Sequence, residues 1–190
     1  MSQELLDVLD ETGQPTGRTK TKAEIIRDGD WRKVVHIWIV DNQQQLLVQQ
    51  RAAGRGIFDN LWDVSVGGGV ATGEPSQTAA QREVNEELGL ELPIGQFLLL
   101  GTWKLLPKTV LGKGVMRDFS DTFLVRLAAI DVAVLQPAPE EVQATDTVSL
   151  NELQHKVQDP EQYANWVQHG PMYYREVSSM IMEQMRKEAV

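Results

Sequence analysis

Short apolar runs set between polar and glycine-rich stretches organise the first two thirds of the chain. Leu5–Leu9 reads as a short strand, followed by turn signals at residues 10–13 and 14–17. Residues 34–40 are mostly β-branched or aromatic; the run is too short for a buried helix and suits a strand. A polar turn at 41–44 leads into a second strand at 46–50, which predicts a hairpin. Residues 62–66 form another strand that ends abruptly at Gly67-Gly68-Gly69. Residues 97–106 and 119–127 add two more around a loop at 108–114.

The period then changes. Residues 77–88 place Ala80, Val84 and Leu88 four apart, on one helical face. Residues 149–157 form a weaker helix. Residues 172–188 carry Val177, Met180, Ile181 and Met185 at helical spacing, a stripe that reads as core packing rather than a binding surface. There is no internal repeat and no low-complexity linker. The expectation is one domain over residues 1–190, an α/β/α sandwich with a mixed β sheet between helices.

Composition narrows the function. The chain is 42% hydrophobic and 24% charged, as a folded globular protein should be. A net charge of −9 argues against general nucleic-acid binding, which needs a positive surface. It leaves small phosphorylated substrates open, since a bound cation reverses the local field. The absence of cysteine removes disulfides, thiolate metal sites and cysteine nucleophiles, and fits a reducing cytoplasm. No apolar run approaches the roughly 20 residues of a membrane span, and residues 1–10 carry no signal-peptide pattern. The composition is compatible with a homodimer.

The informative stretch is 68–90. A glycine-rich turn leads into a helix that starts near Pro75 or Ser76 and stops at Gly89, a left-handed cap. Glu83, Glu86 and Glu87 stand at i, i+3 and i+4, spanning about 100° of the circumference, while Ala80, Val84 and Leu88 line the adjoining face. Converging carboxylates repel one another and call for a counter-ion, and oxygen ligands favour magnesium or manganese over zinc. Arg82, four residues before Glu86, can reach and orient it. A solvated acidic helix face is the plainer alternative.

The spacing Gly68, Glu74, Arg82, Glu83, Val84, Glu86, Glu87, Gly89, Leu90 fills every defined position of the box of Nudix hydrolases, and the chain resembles that family. The resemblance implies a mixed sheet between helices with the box as a loop–helix–loop. It implies divalent metal held by Glu83, Glu86 and Glu87, helped by the Gly68 carbonyl. Arg82 would orient a glutamate and Glu74 would be structural. The implied reaction is hydrolysis of a diphosphate linkage in a small molecule, with Glu86 taking the proton of the attacking water.

From Leu6 to about Leu127 the chain is also similar to the isopentenyl-diphosphate isomerase branch. The isomerase's catalytic cysteine aligns with Gly67 and one histidine with Gly69. Two upstream histidines fall near Ile26 and Arg32, and an acidic ligand near Asp118. These departures disfavour an isomerase, and the intact glutamate row disfavours a non-catalytic binding module. Arg51 and Arg55 match positions that contact diphosphate, although either could simply cover a sheet edge. Of the remaining residues, His36 reads as a core histidine; His155 and His169 lie among polar neighbours without a metal-spaced partner. Glu140 and Glu141 read as a solvated loop, with a distal catalytic base as the alternative. Lys20 and Lys22 read as solvated. Gly67–Gly69 is no phosphate-binding P-loop, because no Gly-Lys-Ser/Thr follows.

Overall fold

The computed structural model describes residues 4–54 and 58–187. Its centre is β3 (Trp31–Asp41), buried along nearly its whole length. The side chains of β3 alternate between two layers, as a pleated strand must. Val35, Ile37 and Ile39 pack with Ala80, Val84 and Leu88 of α2 (Ser76–Leu88). Trp38 and Val40 face the opposite way, against Leu153 of α3 (Leu150–Gln158) and Tyr174, Val177 and Ile181 of α5 (Pro171–Lys187). A strand buried on both faces explains the unbroken apolar run. The result is the expected α/β/α sandwich, and the methionine-containing stripe of α5 is indeed packed: Met185 is buried beside Val177 and Ile181.

The sheet is mixed. β9 (Gly114–Leu127) runs parallel to β3, opposing Arg32 with Asp118 and His36 with Thr122. β6 (Val66–Gly69) lies antiparallel to β3, and β4 (Gln45–Arg51) pairs antiparallel with it at Val40↔Leu46. β10 (Val142–Ser149) and the short β5 (Trp62–Asp63) pair with β4. β1 (Leu5–Leu9) joins β3 and β2 (Pro15–Thr21), while β7 (Leu98–Lys104) pairs with β9. The β3–β4 turn is held by Asp41, whose carboxylate accepts the N–H groups of Gln43 and Gln45. No helix among the described residues is long and apolar enough to cross a membrane.

Several local expectations are corrected. The turn expected at 14–17 is the start of β2. The single strand expected at 62–66 is two, β5 on β4 and β6 on β3, and β6 continues through the glycines, where Gly68 meets Glu83 of α2. The loop at 108–114 contains β8 (Lys108–Val110), a hairpin with β9. Its Gly114 has a φ of 127°, and a Cβ there would stand 1.9 Å from the carbonyl oxygen of Ile26, so only glycine lets this hairpin seat on α1 (Lys22–Asp28). Helix α1 is itself unanticipated, although Thr21 and Glu24 form a capping box at its start. Lys20 is not solvated: it bridges Asp28 and Asp30. A further short helix, α4 (Pro160–Tyr163), precedes α5.

Candidate active site

A cleft of about 420 Å³ opens where β6 and α2 meet β3, β4 and the β8 hairpin. One wall is the glutamate helix. Glu83 and Glu87, one turn apart, are buried, at 8% and 4% exposure, while the side chain of Glu86 is 57% exposed. The three therefore share a side of the helix but not an environment. A Cβ on Gly68 would lie 1.9 Å from the Glu83 carboxyl carbon. The glycine strand thus runs against that carboxylate with its bare backbone, and any other residue at 68 would displace it.

Arg82 organises this wall. Its Nη1 donates to Glu83 (2.8 Å) and Glu86 (3.1 Å), and its Nε and Nη2 grip the two oxygens of Glu74 (3.1 and 3.0 Å). Nη2 also donates to the Gly69 carbonyl at 3.0 Å. Glu74 in turn accepts the N–H of Ala71, so the arginine is locked into the loop before the helix. The Arg82–Glu86 contact expected from the spacing is present, and the ties to Glu74, Glu83 and Gly69 add to it.

Electrostatics set the buried pair apart. Burial pushes Glu83 up to about 7, with Arg82 opposing and Glu86 and Glu141 adding to the rise. Burial and the neighbouring Glu83 push Glu87 up to about 8, although Gln49 donates to it at 2.8 Å. Glu141 lies half-buried on the cleft and feeds both shifts, which corrects the expectation of a solvated loop; Glu140 stays exposed.

The residues fit a hard divalent cation in their donor chemistry. Every acceptor at this wall is an oxygen, and the charges of Arg82 and Arg51 do not offset the burial that raises the two carboxylates. The Oε1 of Gln49, beside Glu87, is buried without a hydrogen-bond partner, a further oxygen in want of one. As the side chains stand, Glu83 and Glu86 lean on Arg82, and no ready-made cage of three acidic or histidine groups occurs among the described residues.

The opposite wall is unlike the sequence expectation. His169 is buried, at 6% exposure, and its Nε2 lies 2.7 Å from Asp63 Oδ1. Its Nδ1 lies 3.3 Å from Lys108 Nζ. Since the ammonium can only donate, Nδ1 accepts and Nε2–H donates to Asp63, so the ring is neutral. Burial lowers the imidazole accordingly, more strongly than Asp63 raises it. Asp63 is held well below the usual carboxylate range by His169 and Arg51, which outweigh its burial. His36 packs edge-on against His169 at 4.5 Å, with Nδ1 2.8 Å from the Tyr173 hydroxyl: a core histidine, as expected, but one that also borders the cleft.

Arg51 sits between the walls, two residues from Gln49 and so on the same face of β4. It lines the cleft, with Nη1 3.5 Å from Asp63. Arg55 lies outside the described residues. Asp118, aligned with an isomerase ligand, is buried in an ion pair with Arg32 Nε at 2.8 Å. Lys22 is exposed, as expected, and stands at the border of the cleft. Gln49 and Asp63 escape sequence reasoning, Lys108 reads only as the start of a loop, and His169 reads as a histidine among polar neighbours; the alternation of Gln49 with Arg51 is the one available signal.

Known proteins share this framework. Nudix hydrolase 3 of Arabidopsis thaliana is 36% identical over 157 residues, covering 82% of this chain and 20% of that protein. The chain thus spans about a fifth of that relative's length. Isopentenyl-diphosphate Delta-isomerase of Pectobacterium atrosepticum is 30% identical over 162 residues, 85% of this chain and 86% of that one. The crystal structure of DR0079 from Deinococcus radiodurans superposes with a TM-score of 0.60 at 23% identity, covering 90% of this chain and 98% of that one, a likeness of fold. The model of the NUDIX domain matches residues 30–169. That match runs from the start of β3 to His169 and takes in both walls of the cleft: the chain belongs to the NUDIX domain family.

Proposed function

We propose that the protein is a magnesium- or manganese-dependent hydrolase of a small diphosphate compound, with its reaction centre on α2. The observation that carries this reading is the pair of buried, upward-shifted carboxylates, Glu83 and Glu87, facing a cleft, with Arg82 opposing the rise of the first and Arg51 that of the second without cancelling either. Glu83, Glu86 and Glu87, with the Gly68 carbonyl, are the groups that would hold the metal. When bound, such an ion withdraws charge from phosphoryl oxygens and acidifies water.

The protein's own residues supply the rest. Arg82 fixes the carboxylates of Glu83 and Glu86 through a guanidinium clamped by Glu74. Glu86, the exposed member, accepts the proton of the attacking water. The water oxygen bonds to phosphorus as the bridging P–O bond breaks, and the bridging oxygen keeps the electron pair. Arg51, which lines the cleft, draws in the diphosphate, and Arg55 belongs to the same reading. The unit of function is a single domain over residues 1–190. A cysteine-free chain suits the cytoplasm, and its net charge of −9 suits a small substrate rather than nucleic acid.

The similarity to an isomerase raises a second reading, but Gly67 and Gly69 hold no side chain where the isomerase has its cysteine and a histidine. Hydrolysis is the better supported. The test is a panel of nucleotide sugars, dinucleotides, nucleoside triphosphates and prenyl diphosphates, scored for released phosphate or pyrophosphate. Turnover should require magnesium or manganese, and Glu87→Gln should lower it by roughly three orders of magnitude. Full turnover in excess chelator would refute the metal mechanism.

A further inference from the structure

Lys108 presents an unusual arrangement. Among the described residues its Nζ has one hydrogen bond, a long one of 3.3 Å to a neutral imidazole nitrogen, and the ring of Phe58 lies 5.7 Å away. An ammonium has three donors and is costly to desolvate unless it meets an anion. The carboxylates in its field are already engaged: Asp63 by His169 and Arg51, Asp118 by Arg32. Counting formal charges, Lys108, Arg32 and Arg51 set three positive charges against the two negative ones of Asp63 and Asp118. The charges weighing most on Lys108 are these four, and no glutamate of α2 is among them. Lys108 borders the cleft from β8, and Gly114 seats that hairpin on α1. The cleft therefore has an acidic end and, beyond Arg51, an end with an excess positive charge.

We propose that Lys108 and His169 form a second anion subsite in this cleft, which takes a phosphate or carboxylate borne by the part of the substrate remote from the bond being cut. The substrate would then carry an acidic group in addition to the diphosphate. This rests on the reading of the cleft as a diphosphate site and narrows it. Lys108 is the group that touches the anion. His169 is a positioning residue: with Nε2–H committed to Asp63, its Nδ1 can only accept, and it fixes the ammonium toward the cleft. Burial lowers Lys108 from its ordinary value, as expected of a cation whose counter-charge arrives with a ligand.

The full chain, kept metal-free with chelator, is titrated with inorganic phosphate and, separately, with acetate. Binding is followed by calorimetry and by the imidazole nitrogen resonances of His169. At least one of the two anions should bind and shift the His169 Nδ1 resonance as Lys108 turns toward it; which anion does so identifies the group recognised. Lys108→Met should weaken that binding by about tenfold or more, and Lys108→Arg should weaken it less. The resonance shift is read in the unaltered protein, so it stands even if a variant fails to fold. It also separates this subsite from binding at Arg51 alone. No shift at His169 with either anion at tens of millimolar, or equal binding by Lys108→Met, overturns the proposal. Neither readout uses catalysis, so Lys108-dependent anion binding by an inactive protein would refute only the hydrolase reading. An active hydrolase without such binding would refute only the subsite.

Discussion

His169 Nε2 lies 2.7 Å from Asp63 Oδ1, a contact between residues 106 apart in the chain, and it ties the segment just before α5 to β5 within one wall of the cleft. Both partners are buried, and the ring is neutral. The fold thus keeps an imidazole from taking a proton that it would readily accept in water.

This has a consequence for stability against pH. Burial holds the folded-state imidazoles of His36 and His169 below the ordinary 6.5. Below about pH 6.5 the unfolded chain takes up protons that the folded chain refuses, so stability falls as pH falls. Each unit of depression is worth about 1.4 kcal/mol, or about 3–6 °C in Tm for a chain of this size. Glu83 and Glu87, raised by burial, act with the opposite sign in metal-free protein. The melt is therefore made with saturating magnesium. Tm should be level from pH 8 to 7 and should drop between 6.5 and 5; a level Tm down to pH 5 would contradict the neutral, buried histidines.

Gly68→Ala tests the contact between strand and helix. The added methyl group would have to displace the Glu83 carboxyl, 1.9 Å from its position. Turnover should fall about a hundredfold through misplacement of that carboxylate, with a stability loss of about 1–3 kcal/mol. Gly69→Ala meets nothing nearer than Leu6 at 3.3 Å and should be far milder. Kinetics and melts of the two variants side by side decide this: equal effects would mean that Gly68 has no special relation to Glu83.

Isomerase activity should be absent despite the 30% identity to an isomerase. With isopentenyl diphosphate and magnesium, proton NMR should show no movement of the double bond at an enzymatic rate. Appearance of the dimethylallyl isomer would mean that some other group does the work expected of a cysteine at position 67.

What could be read from the chain follows from how far each signal reaches. The glutamate row, its apolar reverse face and the Gly89 stop are all set within one helix, where spacing alone fixes direction. Arg82's grip on Glu86 is equally local, whereas its hold on Glu74 is eight residues long and depends on the loop fold. His169 sits between Gln168 and Gly170, and those polar neighbours conceal its burial, which comes from Asp63 and the rings of His36 and Tyr173. The glycines at 67–69 look like a strand end by propensity. Pairing with β3 and the close approach of α2 override that preference. Helix α1 was within reach, since Thr21 and Glu24 spell its capping box.

On the proposed function, the cleft-facing carboxylates of α2 hold a divalent cation. Manganese titrated into the protein and followed by the loss of the free-ion EPR signal tests this without needing a substrate. The wild-type chain should bind manganese in the millimolar range or tighter. Glu87→Gln, which keeps size and helix propensity but removes one buried charge, should bind about tenfold or more weakly while melting no lower in chelator, since burial raises Glu87 to about 8. Manganese binding of equal strength by wild type and Glu87→Gln would contradict the account.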